Sequence, residues 1–280
     1  MLPAIVSDLV SRTALLSRLR VLLQLLRHPV TYPHWGPLIP SRHLWVGPRD
    51  PLVHFLRWPW EYRAYLILLC ELRRDSSVLE LACNHGRTML GLLDYLCPPG
   101  RYEGLDILPR QIEFARREIT ARFPNFGFTL ANVSNPAYGG SGGTDAANYR
   151  FPYADGSFDV VYAASLFTHL LPAAAANYLR ETRRVLRQGG RALFSFLVLD
   201  DYRGPGTTIG EWYRFDHELE DGVAVQRADL AERLIAFGRH RIEDMAQNAG
   251  LRILRILPGY WSNTHRAPVN EQDLILFESS

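Results

Sequence analysis

A short apolar run followed by small and polar residues is the most distinctive local pattern in the chain. Residues 78–81, Val-Leu-Glu-Leu, predict a buried strand, and residues 82–86, Ala-Cys-Asn-His-Gly, predict a tight turn into a helix. Small side chains leave the main chain uncovered, and the first amides of a helix have no internal partners, so a ligand can approach such a turn closely. An ordinary strand-to-helix connection is the alternative interpretation.

Apolar segments of strand length alternate with helical periodicity along the rest of the chain. The pattern predicts helices over 61–74, 88–96, 109–123, 172–186 and 239–248. It predicts strands over 101–106, 126–132, 158–164, 191–199, 251–256 and 273–277. Strands that alternate with helices are typical of a parallel sheet covered on both faces. The sequence therefore predicts an α/β fold.

The first sixty residues have a different character. Residues 13–27 place leucines on one helical face and polar residues opposite, which predicts an amphipathic helix. Such a helix can pack on the main domain, pair with a second copy in a homodimer, lie on a membrane surface or serve as an organellar targeting peptide. Residues 28–60 are dense in proline and tryptophan, which predicts an irregular lid or pocket wall. We interpret the tryptophans as packing residues, with an aromatic wall for an apolar substrate as the alternative.

These patterns divide the chain into two parts. Residues 1–60 form the predicted amphipathic helix and lid, and residues 61–280 form the predicted main domain. Within that domain, residues 204–238 mix charges, aromatics and glycines without a clear period, and we interpret them as a cap over the site.

Composition and charge narrow the functional classes. Of the 280 residues, 47% are hydrophobic, enough for a large core, and the formal net charge is only +2, with basic residues spread among acids. This balance argues against a nucleic-acid partner. The three cysteines are too few for a disulfide framework or a zinc cluster, which favours buried thiols, no bound metal and a reducing, cytoplasmic location. No apolar run has the length of a membrane span.

Two further strand ends carry polar residues suited to a nucleoside. Asp106 closes the predicted strand 20 residues beyond Gly86, where a carboxylate can accept both ribose hydroxyl protons. Asn132 ends the next strand and is placed to hydrogen-bond the edge of a flat heterocycle. The sequence thus predicts a nucleoside at the carboxyl edge of the sheet.

The order of these motifs resembles the class I S-adenosylmethionine-dependent methyltransferases, over roughly residues 60–280. The similar segments are 78–86, Gly104-Leu-Asp106, the run 151–161 (Phe-Pro-Tyr-Ala-Asp-Gly-Ser-Phe-Asp-Val-Val) and 185–190 (Val-Leu-Arg-Gln-Gly-Gly). The resemblance implies a Rossmann-like three-layer sandwich. Its sheet would have seven strands, mostly parallel, and would close with an antiparallel C-terminal hairpin.

The resemblance also implies S-adenosylmethionine as cofactor and a role for each motif residue. Glu80 would hold the methionine ammonium, and Asp106 would accept the ribose hydroxyls. The remaining implied contacts are Ala82, Asn84 and Gly86 along the methionine and ribose, Ile107 and Asn132 at the adenine, and Ser165 near the sulfonium. The chain departs from the family where it has Ala82 and Asn84 in place of glycines, and Asn132 in place of an aspartate.

The chemistry expected at the methyl group is an in-line displacement that aligns donor and acceptor. His169 is the candidate base, because it follows the 158–164 strand closely; capping or packing the next helix is the alternative. Tyr213, His217 and His54 are further candidates in the cap and lid segments. No Asn-Pro-Pro-Tyr-like motif follows that strand, which argues against a DNA base or a protein glutamine as the acceptor. The aromatic lid favours a small apolar, lipid-like or glycosidic acceptor.

Two rival functions fit parts of the pattern. In the first, S-adenosylmethionine is bound but supports a reaction other than methyl transfer, or the protein is a scaffold, as the substituted turn suggests. In the second, a nicotinamide-dependent oxidoreductase would also use an acid at the second strand tip. The absence of G-x-G-x-x-G spacing and of a Tyr-x-x-x-Lys pair argues against the second rival.

Overall fold

The computed structural model of the chain describes residues 51–135, 143–204, 213–262 and 268–280, without the side chains of 51–56 and 201. The predicted helix at 13–27, most of the predicted lid and the glycine run 139–142 lie outside these residues. The strands of the main sheet are β1 (Ser77–Leu81), β2 (Arg101–Asp106), β3 (Phe126–Leu130), β4 (Phe158–Ala163), β5 (Leu186–Phe196), β6 (Leu251–Leu257) and β7 (Asp273–Ser279). The α-helices are α1 (Pro51–Cys70), α2 (Pro109–Ala115), α3 (Pro172–Val185) and α4 (Arg239–Ala249).

The main sheet has seven strands in the order β6-β7-β5-β4-β1-β2-β3. The five strands from β3 to β5 are parallel, and β7 runs antiparallel to both of its neighbours, β5 and β6. This confirms the predicted α/β fold with its antiparallel C-terminal hairpin. The strand order reverses at β1, which has β2 on one side and β4 on the other, and ligands of open α/β sheets bind at such a reversal.

Burial on both faces explains why the strands read as continuous apolar runs. All five residues of β1 are buried. The core beside β5 includes Phe167, whose ring lies 4.6 Å from the rings of both Phe194 and Phe196. Helix α4 packs beside α3 and ends at Gly250, whose φ of 73° is the left-handed C-terminal geometry expected of that glycine.

Helix α1 corrects the prediction of irregular chain up to residue 60. It begins at Pro51, includes Pro59 and ends at Cys70, so the predicted domain boundary falls inside a helix. A proline removes one helical hydrogen bond, but tertiary packing compensates here. The helix lies so close to the turn at Thr88–Leu92 that a Cβ atom on Gly91 would lie 2.2 Å from the Pro59 carbonyl oxygen.

Two other segments differ in detail from the predicted elements. The predicted helix over 88–96 is a 3-10 turn at Thr88–Leu92, and the predicted helix over 109–123 is α2 continued by a π-helical turn at Arg116–Thr120. The predicted cap contains a small antiparallel sheet of His217–Glu220, Val223–Val225 and Ile235–Phe237. None of the helices in the described part of the chain is long and apolar enough to cross a membrane.

Candidate functional site

The carboxyl ends of β1, β2 and β4 surround a cavity of about 240 Å³. The turn after β1 forms one wall, residues 105–108 form the second, and residues 164–166 after β4 form the third. Parallel strands present their carboxyl ends at one edge of the sheet, so these three loops meet although the sequence separates them by more than 20 residues.

The turn after β1 has left-handed backbone geometry at positions that are not all glycine. Ala82 has a φ of 57°, Asn84 a φ of 52° and Gly86 a φ of 85°. Ala82 and Asn84 line the cavity as predicted. Gly86 does not line it; a Cβ atom there would lie 3.0 Å from Ile119 Cδ1, so Gly86 permits the turn to pack on the helix beside it.

Asp106 occupies the tip of β2 and is bonded to the turn after β1. Its Oδ2 accepts a hydrogen bond of 2.6 Å from the backbone N–H of Asn84, and its Oδ1 accepts one of 2.9 Å from that of Leu108. Burial raises the pKa of the carboxyl group, and these backbone donors oppose the shift. Asp106 and Ile107 both line the cavity.

Glu80 is not among the residues that line the cavity. Its carboxylate is buried, and it accepts hydrogen bonds from Tyr102 at 2.6 Å, from Tyr162 at 2.7 Å and from Thr88. Burial raises the pKa of Glu80 to about 7, although the three hydroxyl donors favour the charged form. The expected contact of Glu80 with the methionine ammonium group stays a prediction.

Asn132 also departs from its predicted place. Its side chain is exposed, whereas the neighbouring residues Ala131 and Val133 are buried and line the cavity. The physical reason is the alternation of extended chain, which points successive side chains to opposite sides. Asn135, three residues further on, lines the cavity instead.

The loop after β4 is fixed by contacts from distant strands. Ser165 has a φ of 60°, and its backbone N–H donates to Ser195 Oγ at 2.6 Å. The side chain of Gln272 donates to Ser165 Oγ at 2.9 Å. Ser165 lines the cavity as predicted, whereas the contribution of Gln272, 107 residues away, is not apparent from local sequence.

His169 lies in a 3-10 turn, Phe167–His169, and lines the same cavity. Its Nδ1 is 3.0 Å from the backbone oxygen of Glu232, which belongs to the predicted cap segment. Burial lowers the pKa of His169, and the carbonyl groups of Glu232 and Arg233 oppose that shift. In a neutral imidazole one ring nitrogen donates a hydrogen bond and the other carries the lone pair that a base requires.

Tyr213 and His217 are not among the residues that line this cavity. Tyr213 is buried, and its hydroxyl donates to Glu271 at 2.6 Å. His217 is exposed on the small sheet, and the side chain of His54 lies outside the described residues. Among the residues that the structure describes, no group of histidine, cysteine or acidic side chains could hold a metal ion.

Two cavity residues were missed by the sequence analysis as specific site residues. Trp58, from α1, lines the cavity, and the Arg87 guanidinium lies 4.0 Å from the centroid of its ring. Arg87 follows directly after Gly86, so its position beside the turn was available in the sequence. Trp58 was included only in the general alternative of an aromatic wall, and its placement depends on the docking of α1.

The family model for a methyltransferase domain matches residues 78–190, a range that holds the turn after β1, Asp106 and the loop after β4. The matched range is less than half of the chain, and over it the chain is similar to a methyltransferase domain. The cofactor that this similarity implies is S-adenosylmethionine.

Individual relatives are distant. A 37.1 kDa protein in transposon TN4556 of Streptomyces fradiae is 29% identical over 197 residues, 70% of this chain and 49% of the relative. The chain thus spans about half the length of that curated relative.

Two solved structures share the fold. A protein of Pyrococcus horikoshii OT3 has a TM-score of 0.52 at 17% identity, over 91% of this chain and 99% of the other. A S-adenosylmethionine-dependent methyltransferase of Clostridium acetobutylicum has a TM-score of 0.50 at 15% identity, over 80% and 91%.

The residues around the cavity suit this cofactor. A nucleoside needs acceptors for its ribose hydroxyls, and Asp106 presents a carboxylate at the strand tip. Ala82 and Asn84, which both have left-handed backbone geometry, line the cavity. S-adenosylmethionine has no phosphate groups, so this turn does not need to form an anion-binding site.

Proposed function

We propose that this protein is an S-adenosylmethionine-dependent methyltransferase that transfers a methyl group to a small organic acceptor by direct in-line displacement. The observation that carries this proposal is the single cavity that joins the nucleoside-type residues Asp106 and Ile107 to His169 and Ser165 at the reversal of strand order. In this arrangement the cofactor supplies an electrophilic methyl group on its sulfonium. The groups that bind the nucleoside and the candidate base then face one common volume.

The chain's own residues would divide the work as follows. Asp106 accepts the ribose hydroxyl protons, and Ile107 packs against the adenine. Ala82 and Asn84 present the backbone of the turn, and Ser165, held by Gln272, limits the space near the reacting methyl. The imidazole of His169 accepts the proton that the acceptor's oxygen, nitrogen or carbon loses as its bond to the methyl forms.

Apolar side chains near His169 support an organic acceptor. Leu166, Leu170 and Tyr178 line the cavity together with Trp58. Apolar walls with a few polar groups are typical of sites for small organic molecules. The contact between His169 and Glu232 supports a role for residues 204–238 as a cap, and α1 adds residues 51–60 to the catalytic domain.

The experiment is a screen of phenols, amines, glycosides and lipid-like acceptors with the whole chain and S-adenosylmethionine. We expect S-adenosylhomocysteine to form in equal amount to a product that has gained one methyl group, as measured by mass spectrometry. Cofactor binding together with an acceptor-derived product that has gained no methyl group would contradict the proposal and favour the rival non-transfer reaction.

A further inference from the structure

Arg87 is a half-buried arginine that lines the cavity and has no acidic partner among the described residues. Its guanidinium lies over the Trp58 ring, its Nε is shielded from solvent, and that Nε has no hydrogen-bond acceptor among the described residues. No described acid forms an ion pair with it. Burial without an ion pair lowers the pKa of Arg87 to about 10, so the side chain stays charged at neutral pH.

The nearest candidate counter-charge within the protein is already engaged. Glu80 is the carboxylate whose charge acts on Arg87, but its oxygens accept from Thr88, Tyr102 and Tyr162. A buried cation that lacks a hydrogen-bonded anion is costly, and a planar guanidinium matches a carboxylate through paired hydrogen bonds. The cavity beside Arg87 is therefore suited to a carboxylate supplied by a ligand.

The fold indicates which part of a ligand would reach this arginine. The backbone N–H of Asn84 donates a hydrogen bond to Asp106, the acid expected to bind the ribose. The turn after β1 therefore runs from Asp106 along the cavity to Arg87. A nucleoside ligand whose ribose lies on Asp106 would extend its 5′ substituent along this turn. In S-adenosylmethionine that substituent ends in an amino acid with a free carboxylate.

We propose that Arg87, held against Trp58, binds the carboxylate of the methionine moiety of S-adenosylmethionine. The proposal rests on the proposed function, because it assumes the ribose at Asp106. Arg87 thereby selects nucleosides that carry an intact amino-acid tail over those that lack it.

The test is calorimetric titration with three ligands: S-adenosylhomocysteine, its decarboxylated analogue, and 5′-methylthioadenosine, which lacks the whole amino acid. In the unaltered protein, loss of the carboxylate weakens binding roughly tenfold to hundredfold, as expected for a charge-assisted hydrogen bond. Arg87→Met weakens S-adenosylhomocysteine by the same factor and leaves methylthioadenosine unchanged. Arg87→Lys, which keeps the charge and loses the paired geometry, gives an intermediate loss.

Arg110→Met is the matched control, because Arg110 is exposed at the start of α2. This variant should bind all three ligands with the affinities of the unaltered protein. Methylthioadenosine binding reports an intact nucleoside site in each variant, and the analogue series in the unaltered protein requires no mutation. Equal affinity for S-adenosylhomocysteine and its decarboxylated analogue in the unaltered protein would overturn the proposal. The proposal would also be overturned if Arg87→Met bound S-adenosylhomocysteine and its decarboxylated analogue with the affinities of the unaltered protein. That result would assign the arginine to the acceptor. Failure of all three ligands to bind the unaltered protein would instead remove the proposed function.

Discussion

The left-handed backbone at Ala82 predicts that a glycine there stabilises the protein. A Cβ atom in this region approaches the following carbonyl oxygen, at a cost of about 1–2 kcal/mol. Ala82 has a φ of 57°, so Ala82→Gly relieves that strain. Against this, glycine gives the unfolded chain more freedom, which removes about 0.4–1 kcal/mol. The expected net effect is a gain of roughly 0.5–1 kcal/mol in the free energy of unfolding.

The assay is urea unfolding without ligand, monitored by tryptophan fluorescence and circular dichroism. Ala131→Gly is the matched control, because Ala131 also lines the cavity but does not have a positive φ. That variant should lose about 1–2 kcal/mol through chain freedom and the lost buried methyl group. If Ala82→Gly and Ala131→Gly destabilise the protein equally, the turn after β1 is not strained and the account of it is wrong.

Two further predictions concern Glu80 and His169. Because burial raises the pKa of Glu80 from 4.5 to about 7, the folded state keeps a proton that the unfolded state releases, and stability falls as pH rises through this window. Between pH 5 and pH 8 the unaltered protein should lose unfolding free energy, and Glu80→Gln should remove up to roughly 3 kcal/mol of that loss. Glu113→Gln, at an exposed position, should leave the loss unchanged. If the unfolding free energy of the two variants depends equally on pH, the argument is contradicted. His169→Gln should lower kcat with little change in cofactor affinity and remove an acidic limb centred below pH 6.5; an unchanged pH profile would exclude His169 as the base.

Patterns within single segments predicted much of the fold. The alternation of strands and helices and the buried run at 78–81 predicted the parallel sheet, because a strand covered on both faces must be apolar throughout. The ending of α4 at Gly250 followed from the backbone freedom of glycine. The second half of helix α1 was predicted, but its residues 51–60 were missed, because Pro59 and the tryptophans suggest irregular chain and the packing against Gly91 is a tertiary effect.

The site was predictable where it depends on strand ends and not where it depends on side chains meeting across the fold. Asp106 lies at its predicted strand tip and lines the cavity. The hydrogen bonds of Glu80 were not predicted, because its hydroxyl donors come from β2, β4 and the turn beyond β1. Gln272 reaches Ser165 only because the C-terminal hairpin folds back beside β5, a long-range pairing that no local pattern contains.

The central claim is that the cavity holds the cofactor's nucleoside through Asp106. The most direct test is calorimetric titration of S-adenosylhomocysteine into the unaltered protein, Asp106→Ala and Asp106→Asn, with Glu113→Gln as an exposed control. We predict micromolar binding by the unaltered protein and by the control, and a loss of at least about tenfold in both Asp106 variants. Binding of equal strength in all four proteins would contradict the claim, because the ribose hydroxyls would then lie elsewhere.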